Sequence, residues 1–447
     1  MDDYAHVPKI SDQKAVELYE HVARLSSGAN TPYMVDLAFL KDKAAFNMFI
    51  QLYFEHFHPS LPLLHKVTFC PLEMPWILNL AVATIGSHYS RLSSSYRYTT
   101  LLGDCLRLAV SELIDHDINV SIGIPFAQAI LLSQVDTAYS GQRNLVLKAQ
   151  FYRSFAVTIC RGIAAGLRRR EPPCKQTESR HETYHQWLQR ELEKRIVYCG
   201  WLLDCQYSLH NDIPFIMTLD DIDLELPCNE ETWDKPVNTE KMEEVLTQPV
   251  HLRDILAADA RTERMYHMTS ILLYLPFKRL CMSSGWMATE TSTKSAQMEL
   301  STWLSRDGGQ NARVAVRHAA ILFALIRTHS TNTYHEAQSL LLSTLTIWVF
   351  ATLQQHAEYG EHNNDAKSSI HLDRPMSLTD EEDWISGNAP FVPRIAGVGC
   401  IGGPLGARRL LIEACDILHR HECWGVNRRV VVVLEQLLVC GNALSSQ

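Results

Sequence analysis

The chain is 447 residues long, 46% hydrophobic and 20% charged, with a formal net charge of −9. That composition is ordinary for a folded soluble protein, and the length exceeds one compact core, so two packed lobes are expected. An acidic chain does not coat nucleic acid unaided, because affinity for phosphate backbones comes from clustered Lys and Arg; DNA contact would need a local patch or another polypeptide.

Twelve cysteines are scattered from Cys70 to Cys440 without a Cys-x-x-Cys pair. This is neither a disulfide framework nor a zinc ribbon, and it suits a reducing compartment. The start, MDDYAHVPK, lacks the apolar core of a secretion signal. The apolar runs at 76–86 and 340–353 fall short of a bilayer span and read as buried helices, so no membrane contact is expected.

Taken in order, residues 1–43 read as a weakly structured lead-in. Ala44 to Phe57 has helical apolar spacing stopped at Pro59. His58 to Phe69 is non-helical because of Pro59 and Pro62, and Trp76 to Tyr89 returns to helix. Helices follow at 101–115, 125–139 and 145–167, the last ending in Arg168, Arg169 and Arg170, cations that complement the helix dipole. Residues 228–250 read as acidic loop, 251–283 as helix and 283–297 as polar connector. Two strongly apolar helices are expected at 311–328 and 338–356, and two more at 404–421 and 428–440. Between them 357–390 is the most disorder-like stretch, polar with few aliphatics. No alternating strand pattern stands out, so the fold class is all-α.

The central stretch is 187–227. Leu188, Leu192, Ile196, Cys199 and Leu203 form one apolar helical stripe. Gln189, Arg190, Glu193 and Lys194 mark the other face, and Glu191 stands four residues before Arg195, a favourable ion-pair order. Pro214 lies beyond the helix, and an acidic loop of Asp220, Asp221, Asp223 and Glu225 runs to Pro227.

This pattern resembles the regulatory domain of fungal transcription factors, the middle homology region. Trp187, Glu191, Lys194-Arg195, Asp204, Ser208, Pro214, Asp220 to Asp223 and Leu226-Pro227 stand where that family has its Trp, Glu, basic pair, helix-ending Asp and Ser, Pro loop and acidic Leu-Pro. A second anchor is Phe57-His58-Pro59, Pro62, His65 and Thr68-Phe69, with Val67 where a Pro is usual. A third is the C-terminal Gly-rich turn, Leu-rich helix and Trp424-Gly425, similar to regulators that carry paired Cys2His2 fingers.

The resemblance implies a nuclear regulator of RNA polymerase II promoters, often of a metabolic or secondary-metabolite gene cluster, and not an enzyme. It divides the chain into an N-terminal lobe at 44–227 and a C-terminal lobe at 228–447. Implied partners are promoter DNA, the transcription machinery or co-regulators, and a second copy of the chain as a homodimer. Relatives read DNA through an N-terminal zinc module, but residues 1–69 hold no cysteine. DNA binding is therefore expected from a missing module or a partner, with no zinc or other cofactor in this chain. Arg168 to Arg170 are the candidate nuclear-import residues, and the loop at 220–231 and the segment 357–390 the candidate partner surfaces.

Other motifs compete. Asp220, Asp221, Asp223 and Glu225 are the alternative: an all-α, magnesium-dependent terpene-cyclase-like enzyme would hold metal ions on such carboxylates, though its second motif fails at Leu372. His181-Glu182-Thr183-Tyr184-His185 spells a zinc-protease signature but lies in a polar lead-in to a helix. Gly397, Gly399 and Gly402 fit a dinucleotide fingerprint with no room for a sheet after it, so a turn between helices is expected. Cys415 and Cys423 would stand about 12 Å apart along one helix, too far for a single ion.

Overall fold

The computed structural model describes residues 5–27, 37–92, 95–116, 123–170, 180–211, 213–234, 260–275, 277–286, 288–353, 369–389, 391–420 and 423–444. They fall into two compact units: Met1–Tyr207 with Pro214–Ala257, and Ser208–Ile213 with Ala258–Gln447. The chain is predominantly helical, as its periodicity requires.

In the first unit, α1 (Asp12–Ser26), α2 (Ala38–Lys41) and α3 (Lys43–Leu52) lead into a π-helical turn at Tyr53–Phe57. The expectation of a weakly structured lead-in is corrected here: Ser11 caps α1, and Ala15, Leu18, Val22 and Leu25 are buried at helical spacing. Next come α4 (Trp76–Ser87), α5 (Ser95–His116) and α6 (Ile124–Ala138). Helix α4 is the centre of this unit, buried on every face from Ile77 to Ser87 and packed against α3, α5 and α6. A Cβ at Gly86 would sit 1.8 Å from the Phe49 carbonyl oxygen, so only glycine lets α3 and α4 approach this closely. Then follow α7 (Arg143–Arg169) and the 32-residue α8 (Arg180–Asn211). After a 3₁₀ turn at Leu219–Ile222 comes the short α9 (Glu230–Asp234).

The second unit contains α10 (Ala260–Tyr274), α11 (Phe277–Ser283), α12 (Glu290–Ser305), α13 (Gln310–Thr328) and α14 (Glu336–Leu353). Helix α12 replaces much of the expected polar connector: Thr289 caps it, and Ala296 and Leu300 anchor an otherwise polar helix. By length and composition α14 could cross a membrane, yet 78% of it is buried inside the fold, as a core helix would be. The segment 357–390 also needs correction where it is described. It forms β1 (Ser369–His371) and α15 (Leu378–Ser386), anchored by Ile370, Leu372 and Trp384.

Strand β1 pairs in parallel with β2 (Val392–Ile395), and β2 pairs antiparallel with β3 (Gly399–Cys400). The glycine motif at 397–402 thus runs from the turn between two short strands through β3 to the start of a helix, rather than forming a turn between helices. Gly397 sits at φ 83°, where a Cβ would strike the Arg327 guanidinium. Helices α16 (Gly403–Arg420) and α17 (Gly425–Leu444) close the unit, with α16 against α14. Trp424, between them, is 2% exposed and edge-on to Tyr334 at 6.2 Å.

Candidate functional site: the stitched loop on helices α7 and α8

The family-motif residues of the first unit converge where residues 213–234 run back along α7 and α8. Three arginines of α7, at spacings of eight and seven, share one side of the helix and hold the first half of this return. Arg153 forms an ion pair with Asp204, both buried, and donates from Nη2 to the Pro214 carbonyl at 2.9 Å. The second Asp204 oxygen accepts from the backbone amides of Ile216 (2.9 Å) and Met217 (3.0 Å). Arg161 makes a fork to both Asp221 oxygens, each at 2.9 Å, and reaches the Ile216 carbonyl. Arg168 donates to the carbonyls of Asp220 and Asp221. Asp221 also accepts from the Thr218 amide, capping its 3₁₀ turn; the Arg161 fork, chiefly, holds its carboxyl below the usual range.

The second half of the return is held by α8. The expected Glu191–Arg195 pair is not what forms. Glu191 pairs with Lys194 and accepts from the Cys228 amide at 2.9 Å. Lys194 donates to the Leu226 carbonyl at 3.2 Å, and Arg195 to the Cys228 carbonyl at 2.8 Å. The reason is non-local: the returning loop supplies acceptors over the helix, so Glu193, Lys194 and Arg195 are all buried on a face expected in water. Glu193 takes Arg170 as its partner at 2.9 Å. Tyr198 donates to the Leu224 carbonyl at 2.8 Å.

Trp233 closes the assembly. It is fully buried with Trp187 and Leu188, and the Arg195 guanidinium lies 4.1 Å from its ring centre, a cation–π contact. Its indole N–H donates to the Leu64 carbonyl at 3.1 Å, and the His65 ring lies 4.5 Å away. That contact joins the His-Pro segment to the acidic loop. His65 shares a 2.9 Å hydrogen bond with Thr68, and burial, then the Arg195 charge, lowers its pKa to about 4. Burial likewise lowers His58, which stands 3.8 Å from Asp234. Phe69 packs on Phe54 at 4.9 Å, while Pro59, Pro62 and Pro227 are half-buried.

So His58, His65, Trp187, Glu191, Arg195, Asp204, Pro214, Asp221 and Pro227 belong to one structural assembly. Ser208 and Trp424 lie in the other unit. Sequence reasoning missed Arg153, Arg161 and Trp233. The spacing of the arginines and a lone Trp in the acidic run NEETWD were the available signals.

The arrangement ties a returning loop to two helices. Among the described residues no three His, Cys, Asp or Glu side chains gather to hold a metal ion. The terpene-cyclase alternative finds no support: Asp221, one of its four carboxylates, gives both oxygens to Arg161. The side chains of His181 and Glu182 lie outside the described residues. A cavity of about 20 Å³ beside Arg153, Cys160, Gly200 and Asp204 has room for about one water molecule.

The fold is a helical scaffold whose motif residues hold a loop of their own chain. Residues 50–304 match the fungal specific transcription factor domain, and the chain belongs to that family. It is 26% identical to a Gibberella fujikuroi protein named "Transcription factor", over 95% of this chain and 63% of that protein. It is 24% identical to the Schizosaccharomyces pombe "Zinc finger protein klf1", over 42% of this chain and 24% of that protein. It is also 24% identical to the same yeast's "Zinc finger protein zas1", over 41% of this chain and 21% of that protein. The chain thus spans less than two thirds of the length of each. No solved structure matches it significantly.

Proposed function

We propose that the chain is the regulatory scaffold of a nuclear transcriptional regulator acting at RNA polymerase II promoters, with a metabolic or secondary-metabolite gene cluster as its target set. The observation that carries this reading is the use of the motif residues. Arg153, Arg195, Glu191, Asp204 and Asp221 fix the loop of their own chain, as a module needs when it presents a surface rather than turns over a substrate. The relatives' names add transcription and zinc fingers. DNA contact comes from a zinc module or partner protein outside the residues described, co-regulators bind the helical surface, and a homodimer is the working form. Nuclear import would draw on Arg168, Arg169 and Arg170, all exposed at the end of α7.

The test is a tethered reporter. The chain fused to a heterologous DNA-binding module should change reporter output several-fold against the module alone. A folded, nuclear fusion that leaves output unchanged would refute the reading.

A further inference from the structure

Helices α10 and α13 pack closely in the second unit, and α13 is slim there: Ala312, Ala315, Ala319 and Ala320 are all buried. The approach brings two imidazoles together. His267 of α10 and His318 of α13, 51 residues apart in the chain, have their Nδ1 atoms 2.8 Å apart. Their ring centres lie 5.1 Å apart, tilted by 48°. Among the described residues neither ring has another hydrogen-bond or ion-pair partner. His267 is buried and His318 half-buried. The Tyr266 ring, 61% exposed, stands edge-on to both at 5.1 and 5.6 Å, so the pair lies one aromatic ring from solvent.

Between two neutral imidazoles at this distance only one N–H can point into the gap, so at least one Nδ1 presents a lone pair there. Both rings are kept neutral near pH 7, because burial, chiefly, lowers both pKa values, that of His267 to about 4. Neutral imidazole nitrogens that converge are the donors that Zn²⁺, Cu²⁺ and Ni²⁺ take from proteins. In a tetrahedral zinc site, with Zn–N of about 2.0–2.1 Å, two ligand nitrogens stand roughly 3.3 Å apart. The gap therefore has to open by only about 0.5 Å, a small turn of each ring. Charge allows it. Arg317, next to His318, is paired with Glu381 at 2.7 Å, and Glu381 acts on His318 in the opposite sense.

We propose that His267 and His318 form a two-histidine site for a borderline transition-metal ion, Zn²⁺ or Cu²⁺ above all, with water completing the coordination from the Tyr266 side. Two protein ligands, where a closed structural site has four, make this an exchangeable site of moderate affinity. Because one ligand comes from each helix, a bound ion clamps α10 to α13. It stabilises the second unit in step with the concentration of free ion. Both ligands lie outside the family motifs and outside the stitched loop, so the site is independent of the regulatory reading.

Calorimetric titration of ZnCl₂ into the untagged, chelator-treated full chain tests it. The wild type should bind zinc with micromolar affinity. His318→Gln and His267→Asn, which keep a polar side chain in each place, should each weaken that binding at least tenfold with unchanged circular dichroism. Zinc held on other histidines gives the same heat in wild type and variants and cancels in the difference. Cu²⁺ on the wild type should show two imidazole nitrogens in its electron paramagnetic resonance, and fewer on either variant. Zinc should also raise the Tm of the wild type and leave that of the double variant unmoved. A wild type that takes up no zinc, or zinc and copper binding that is the same in wild type and both variants, overturns the proposal and leaves the two rings sharing a proton only.

Discussion

Two arginine–carboxylate pairs on α7, eight residues apart, hold the same loop under opposite conditions. In Arg153–Asp204 the side chains are 5% and 1% exposed; in Arg161–Asp221 they are 45% and 17%. The inner pair has left water completely, and its carboxylate also serves two backbone amides. The outer pair has better fork geometry yet remains wet and screened. Similar chemistry at different depth does different work: the inner pair decides where the loop begins, and the outer pair only trims its fraying.

The largest effect belongs to the inner pair. Asp204→Ala leaves the Arg153 charge buried without its carboxylate and strips the acceptor from the Ile216 and Met217 amides. A loss of about 3–5 kcal/mol is expected in urea unfolding. The double variant Arg153→Met with Asp204→Leu should recover part of this, because the buried charge goes while the two amides still lack an acceptor. A double variant no better than Asp204→Ala would show that the amides, and not the ion pair, carry the cost.

The next effect is a pH dependence centred on His65. Its folded pKa, about 4, lies below the ordinary value of 6.5 because burial and Arg195 oppose the charged form. Below pH 6.5 the unfolded chain takes up a proton that the folded chain refuses. This contribution to stability is therefore whole above 6.5 and fades as pH falls towards 4. At about 1.4 kcal/mol per pH unit the loss is on the order of 3 kcal/mol. His58, lowered in the same direction, adds to it. His65→Gln should flatten the decline of Tm between pH 6.5 and 4 relative to wild type, and an unchanged slope would exclude His65 as its source. Smaller again is Trp233→Phe. It keeps an aromatic ring under Arg195 but leaves the Leu64 carbonyl without its donor, for about 1–3 kcal/mol.

How much of this was legible depends on whether a contact is local. The stripe of α8 and the continuous apolar character of α4 and α14 are visible at short range, and the helices follow from them. Helix α1 was read instead as a weakly structured lead-in, although buried Ala15, Leu18, Val22 and Leu25 have plain helical spacing inside a polar stretch. The strands were not visible, since two to four residues are too few to alternate, and glycine and proline dominate their surroundings. Glu191 to Arg195 had the right spacing for a pair, but spacing within a helix cannot know that residues 226–233 will return over it and offer carbonyls. The motif positions could be read as belonging together, whereas Arg153, Arg161 and Trp233, which join them, needed the fold.

The smallest effect is the sharpest test of the comparison. Arg161→Ala removes a fork to Asp221 and a bond to the Ile216 carbonyl, yet on the surface such pairs contribute only about 0.2–1 kcal/mol. The loop also keeps Arg168 on its Asp220 and Asp221 carbonyls and Tyr198 on Leu224. Global stability should therefore barely move, and what loss there is should shrink further in 1 M salt, where the wild-type pair is screened as well. Amide exchange should nonetheless quicken at Thr218 and Asp221, whose turn depends on the Asp221 carboxylate being held in place. A loss from Arg161→Ala as large as that from Asp204→Ala would mean that depth is not what separates the two pairs.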